Sequence, residues 1–235
     1  MSEKPILKLD WCSHAAAKYA VEHWHYSGSL PTPPLVKIGV WENGCFIGCV
    51  LFSRGASKNL ACPYGLTTLQ VCELTRVALT THATACSRIL RIALSLLKKY
   101  ATGLRLVISF ADVNELHHGG IYQAAGWIFA GQTPASYKYQ DRKGRIWHSR
   151  QVSLSGAKLQ YGALRRAPKK VDCTKHAQLG KYRYLFPLDA AMRTQILPLA
   201  QPYPKRAISI LADAPAVQAG ESGAAPTIAL PMGVD

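Results

Sequence analysis

The sequence predicts an α+β fold, a mixed sheet flanked by helices, followed by a basic extension and a flexible tail. Three observations carry this. Two apolar strand patterns meet at an Asn-Gly turn, two helical patterns each lead into a further strand, and basic residues gather after residue 137. At 235 residues the chain is long enough to bury a core without disulfide or metal staples.

In chain order, Ser13 is placed to cap a helix over 14–24 (HAAAKYAVEHW), and the PTPP run at 31–34 interrupts regular structure before the first hairpin. Strands LVKIGVW and CFIGCVLFS flank Glu42-Asn43-Gly44, whose Asn-Gly is a strong hairpin signal. A loop over 54–68 precedes a strand, LQVCELTRVAL. Thr84 then opens a helix whose apolar residues Ile89, Leu90, Ile92, Ala93, Leu96 and Leu97 share one face, ending near Gly103. An apolar strand, LRLVISFAD, a helix from about 116 to 125, the strand WIFAG and two basic strands, SYKYQ and IWHSRQVSL, complete the pattern. The expected division is 1–155 for the catalytic domain, 156–208 for a basic extension of that domain, and 209–235 for an Ala/Pro/Gly-rich tail without a periodic face.

The formal charge of +15 is uneven. Residues 1–137 hold 12 basic and 7 acidic residues, residues 138–208 hold 16 and 3, and residues 209–235 hold none and 3. A concentrated basic segment attracts a polyanion, and counterion release favours nucleic acid. Its aromatics Tyr137, Tyr139, Trp147, Tyr161, Tyr182 and Tyr184 suit base stacking beside phosphate contacts. No run approaches the roughly 20 apolar residues of a membrane helix, and the opening MSEKPILKLD lacks the apolar stretch of a secretory signal, so a cytoplasmic protein is expected. Seven cysteines (12, 45, 49, 62, 72, 86 and 173) lack Cys-x-x-Cys pairs and read mostly as small buried hydrophobes. No GxGxxG or Walker sequence occurs, which removes the common nucleotide fingerprints.

Four constellations can carry chemistry. His23-Trp24-His25-Tyr26-Ser27 ends the first helix, where only an unwound turn would let both imidazoles converge; His25 is the candidate functional residue. Glu73-Leu74-Thr75-Arg76 places Glu73 and Thr75 on one strand face and Leu74 and Arg76 on the other, with Arg76 as an anion clamp and Glu73 as base or metal ligand. Ser109 and Asp112 stand at the carboxyl end of an apolar strand, where open sheets gather ligands; capping of the next helix is the competing use of Asp112. Tyr122 lies in the short helix that Gly126 ends, as a general acid or a stacking partner for a base.

His25-Tyr26, Cys72-Glu73-Leu74-Thr75-Arg76, Ser109-Phe110-Ala111-Asp112, Tyr122-Gln123-Ala124-Ala125-Gly126-Trp127 and Lys181-Tyr182-Arg183-Tyr184 stand in one order. Over about residues 5–200 the chain resembles the Mom family of DNA-modification proteins of Mu-like bacteriophages. The resemblance implies a GNAT-like fold and an enzyme that carbamoylmethylates the exocyclic amine of adenine in DNA, protecting phage DNA from host restriction endonucleases. From the constellations above, His25, Asp112, Tyr122 and Ser109 are the candidate catalytic residues. Arg76, Ser109 and Arg88 would hold the donor, which is acetyl-CoA or a glycine-derived group.

Where GNAT enzymes present a Gly-containing loop to the pyrophosphate of coenzyme A, this chain has Thr80-Thr81-His82-Ala83-Thr84-Ala85-Cys86-Ser87-Arg88, without glycine. Plain acetyl transfer would leave an amide, whereas the family product joins nitrogen to a CH2 carbon. Iron, with His25, Glu73 and Asp112 as ligands, is therefore the candidate metal. Double-stranded DNA is the expected partner, gripped by Tyr26, Lys138, Arg142, Lys143, Arg145, Arg165, Arg166, Lys169, Lys170, Lys181 and Arg183. A homodimer matched to two-fold contacts along DNA is expected, in the host cytoplasm. The competing functions are a non-catalytic DNA-binding phage regulator and a conventional acetyl-CoA-dependent N-acetyltransferase.

Overall fold

The computed structural model describes residues 4–55, 57, 59–160 and 162–205. The tail over 209–235 and Tyr161 lie outside the described residues. Strand β1 (Leu7–Trp11) opens the chain, followed by helix α1 (His14–Trp24). The Ser13 hydroxyl accepts the Ala16 N–H at 3.1 Å, which is why the helix starts there. Strands β2 (Leu35–Glu42) and β3 (Cys45–Ser53) form the expected hairpin, with Asn43 and Gly44 at φ of 51° and 82°. Strand β4 (Val71–Leu79) leads to α2 (Cys86–Tyr100), and β5 (Leu106–Ala111) to α3 (Gly120–Ala124) and β6 (Ile128–Gln132). Strand β7 (Ser136–Gln140), β8 (Ile146–His148), β9 (Ala157–Gln160), β10 (Ala163–Arg166) and β11 (Thr174–Gln178) precede β12 (Tyr182–Pro187) and α4 (Ala190–Ile196).

The expected mixed sheet flanked by helices is present, seven strands in the order β1-β2-β3-β4-β5-β12-β6. Every neighbouring pair is antiparallel except β4 and β5. One face packs against α2 and α3 through Ile89, Leu90, Ala93, Leu94 and Leu97, with Trp127 and Tyr184 wholly buried. Each large aliphatic side chain buried there contributes roughly 1.5–3 kcal/mol. The other face packs against α4 and a loop carrying Tyr64 and Leu66, while Ala17, Ala20 and Val21 seat α1 over Cys49, Leu51 and Ala78. Arg105 donates two hydrogen bonds to Asp189, at 2.8 and 3.0 Å, and Asp189 also caps α4, tying that helix to the start of β5.

Several expectations are corrected. Strand β1, without a sequence signal of its own, forms because β2 offers it an edge. The helix expected over 116–125 is a 3-10 turn at Val113–Glu115 and the single turn and a half of α3, because Leu116 (φ 59°) and Gly119 (φ 83°) interrupt the helical path. A Cβ on Gly119 would stand 2.3 Å from Cε2 of the Tyr184 ring, so the interruption also lets a core aromatic come close. Strand β8 stops at His148 instead of running to 154. Tyr184 and Tyr139 are buried rather than presented for stacking. Of the seven cysteines only Cys49 and Cys72 are buried, and Cys45 and Cys62 are exposed. Strand β12, drawn from the basic segment, sits inside the main sheet between β5 and β6. The basic strands otherwise stand apart as β11-β7-β8 and the two-stranded ribbon β9-β10. No helix among the described residues is long and apolar enough to cross a membrane.

Candidate active site

The site begins where the sheet opens. β4 and β5 pair from Val71↔Leu106 to Leu74↔Ser109 and no further, although β4 continues to Leu79. Two parallel strands that part in this way leave a wedge edged by backbone. On the other side of β4 the register with β3 shifts so that Phe52 faces Leu74 and Leu51 faces Arg76, and Thr75 becomes the extra residue of a bulge. The bulge cancels the expected alternation: Thr75, Arg76 and Val77 all line one cleft.

That cleft, about 560 Å3, is closed on the β5 side by Phe110 and Ala111, below by Ile121 and Tyr122, and at its mouth by Trp24, His25, Tyr26 and Leu116-His117-His118-Gly119. Of the expected site residues it gathers His25, Tyr26, Arg76 and Tyr122, with Ser109 directly behind Tyr122. His117 and His118 were not singled out from the sequence. The adjacent pair His117-His118 before two glycines was the signal that could have found them.

His25 reaches the cleft because α1 stops at Trp24 and His25 itself is extended (φ −126°, ψ 132°). His23 stays on the helix, stacked on Tyr19 with its Nδ1 2.9 Å from the Tyr19 carbonyl. The His25 Nδ1 accepts the Ser27 N–H at 3.1 Å, so its proton resides on Nε2. Burial, then the nearby Arg76 and His117, lower its pKa to about 4, and the ring is a neutral donor at pH 7. Tyr26 packs on the His25 ring at 4.4 Å and meets His117 edge-on at 5.1 Å.

Behind the cleft lies a short relay. Ser109, fully buried, has its hydroxyl 2.8 Å from both the Leu74 carbonyl and the Tyr122 phenol. One serine proton serves the carbonyl, which accepts only, so the phenol O–H supplies the second bond. Burial pushes the Tyr122 pKa up to about 12, and the phenol stays protonated. Arg76 is anchored by donating from Nε to the Ser29 carbonyl (3.2 Å) and from Nη1 to the Thr75 carbonyl (2.8 Å). Burial lowers its pKa, and as an arginine it remains charged.

Asp112 is not among the residues that line the cleft. Its Oδ2 pairs with the Lys181 ammonium at 2.7 Å, and its Oδ1 accepts from Asn114 Nδ2 and from the Asn114 N–H, capping the 3-10 turn. Burial raises its pKa, but the Lys181 and Asn114 donors outweigh that and leave it below the ordinary value. The capping use prevails, and Lys181, expected on DNA, serves this carboxylate. Arg183 lies on β12 with its Nε buried and without a hydrogen-bond partner among the described residues. Arg142 pairs with Asp172 at 3.3 Å. Lys138 is on β7, Arg145 just before β8, Arg165 and Arg166 on β10, and Lys169 and Lys170 before β11. Lys143, in the β7–β8 turn, lines a small groove with Arg142 and Lys169. Arg88 is in the first turn of α2, outside the cleft.

A model of the Mom protein family matches residues 6–205. The chain belongs to the Mom protein family. No curated protein matches it. Solved structures are similar at low identity. An N-acyl amino acid synthase from uncultured soil microbes, FeeM, is 10% identical over 81% of this chain and 94% of its own, with a TM-score of 0.45. A spermidine N-acetyltransferase from Vibrio cholerae, in complex with CoA and spermine, is 8% identical over 77% and 95%, with a TM-score of 0.42. The aminoglycoside 6'-N-acetyltransferase from Enterococcus faecium is 8% identical over 77% and 97%, with a TM-score of 0.41.

Two groups implied by the resemblance can be tested against the residues of this Mom-family chain. Iron does not fit the expected set. Among the described residues no group of three His, Cys, Asp or Glu side chains is close enough to hold a metal, and Asp112 is occupied by Lys181. The loop before α2 does not fit a coenzyme A pyrophosphate either. Its Ala83 and Thr84 N–H groups and the Thr84 hydroxyl donate to the Glu42 carboxylate at 2.9, 2.8 and 2.6 Å, so an internal anion already takes the donors that a phosphate would need. Those donors hold the Glu42 carboxyl below its ordinary pKa, so the position stays negative.

Proposed function

We propose that this chain is a phage DNA-modification transferase that converts adenine in double-stranded DNA to N6-carbamoylmethyladenine, shielding the DNA from host restriction endonucleases. The observation that carries the reading is the β4/β5 wedge, where Arg76, neutral His25 and Tyr122, backed by Ser109, meet at one cleft in a chain of the Mom family. The target amine is reached by turning the adenine out of the stack. Tyr26, exposed at the mouth and supported by His25 and His117, stacks on the base. The Tyr122 oxygen, whose proton points to Ser109, accepts an N–H of the adenine amine and orients its lone pair toward the donor. The His25 Nε2–H and the Arg76 guanidinium are placed to hold the carboxamide oxygen of the carbamoylmethyl group that is transferred.

The enzyme would work on duplex DNA in the host cytoplasm as a homodimer, which sedimentation tests. Glu42, at the end of β2, takes the donors of the loop before α2, which speaks against a conventional acetyl-CoA N-acetyltransferase, and the built cleft speaks against a purely DNA-binding regulator. Plasmid DNA from cells producing the chain should resist endonucleases whose sites contain adenine, and DNA from cells producing the Arg76→Ala chain should be cut. Equal cutting in both cases would refute the reading.

A further inference from the structure

The β9–β10 ribbon is two strands with no core of their own. Its register sets Lys158 directly opposite Arg165 and Leu159 directly opposite Leu164. Like charges facing each other across a ladder destabilise it, and an isolated two-stranded ribbon is marginal in water. Lys158 donates to the Arg150 carbonyl, which carries no countercharge, and neither Lys158 nor Arg165 has a carboxylate partner among the described residues. The opposite face exposes Leu159 and Leu164 at 71% and 74%. A ribbon with an uncompensated cationic pair on one face and, on the other, an open leucine pair flanked by the exposed Arg166 is built for a surface that supplies both anions and apolar edges.

Duplex DNA supplies both. Its major groove, about 12 Å wide, admits a two-stranded ribbon, carries thymine methyls on its floor and phosphates on its rims, and presents the adenine N6 amine. We propose that the β9–β10 ribbon docks in the DNA major groove, with the Leu159–Leu164 pair toward base edges and Lys158 and Arg165 reaching the flanking phosphates. This rests on the DNA-modifying reading, and it adds that the enzyme approaches from the groove that displays its target atom.

The test is duplex binding by the full chain, followed over a salt series and by dimethyl sulfate protection of guanine N7 in the major groove. The Lys158→Ala/Arg165→Ala chain should bind on the order of tenfold or more weakly, with the salt slope reduced by about 2. The Leu159→Ala/Leu164→Ala chain should weaken binding with the slope unchanged, and wild type should protect N7. Unchanged affinity in both variants, with their circular dichroism intact, would overturn the proposal. So would displacement by a minor-groove ligand without N7 protection, or equal affinity for anionic lipid vesicles. Tyr122→Ala serves as the separating control: if no chain modifies adenine yet the ribbon variants still lose affinity, the modification reading fails and the docking stands.

Discussion

The seven-stranded sheet and the basic strands of residues 136–178 treat charge in opposite ways. In and around the sheet, Asp112 is committed to Lys181, Arg105 to Asp189, and His25 is held neutral beside Arg76, while Arg183 keeps a buried Nε without a partner among the described residues. In the β9–β10 ribbon, Lys158 and Arg165 face each other with no carboxylate partner among the described residues. Chemistry needs a fixed geometry, and committed groups provide it. A grip on DNA needs free cations on an accessible surface, whose binding energy comes from releasing counterions. The difference teaches that the net charge of +15 describes the grip and says little about the catalyst.

The sharpest way to break this contrast is in the cleft. Tyr122→Ala or Arg76→Ala should lower adenine modification by about 10²- to 10⁴-fold while duplex affinity changes little, measured as turnover and binding on the same preparation. Affinity falling in parallel with turnover would mean that the two regions are not separate devices. Next in size is Gly119→Ala. Its Cβ would meet the Tyr184 ring at 2.3 Å with φ at +83°, and urea unfolding should show a loss of about 2–4 kcal/mol.

Lys181→Ala should cost about 1–3 kcal/mol, discounted because Lys181 is 47% exposed, since it leaves the Asp112 carboxylate buried without its cation. Asp112→Asn in the same chain should recover part of it. A ribbon charge removed by Lys158→Ala should instead leave stability unchanged or slightly raised.

The smallest effect is on pH. Burial, then Arg76 and His117, hold the folded His25 pKa at about 4, whereas an unfolded histidine titrates near 6.5. The unfolded chain therefore binds more protons between these values. Stability from this group is full above about pH 6.5 and is lost as pH falls toward 4, on the order of 1–2 kcal/mol after discounting for partial exposure. His25→Gln should flatten that slope in thermal melts.

Local signals in the chain were legible. Ser13 caps α1, Asn43-Gly44 turns the hairpin, and the 3.6-residue apolar period of α2 buries the predicted face, because each depends on neighbours within a few residues. Non-local choices were not. β12 enters the sheet between β5 and β6 through partners 50 or more residues away, so its basic and aromatic residues read as a surface element. Arg76 was found, but its face was misread, because a bulge is a property of the β3–β4 pairing and not of β4 alone. Asp112 shows a residue type that suits two roles equally. Only the position of Lys181, 69 residues on, decides between them.

The central claim is that the wedge between β4 and β5 modifies adenine. Mass spectrometry of nucleosides from DNA of cells producing either the wild-type chain or Tyr122→Ala tests it most directly. The account predicts an adenine nucleoside carrying a carbamoylmethyl group in the first DNA and only ordinary adenine in the second. Unmodified adenine in both, or the same modified nucleoside in both, would contradict it.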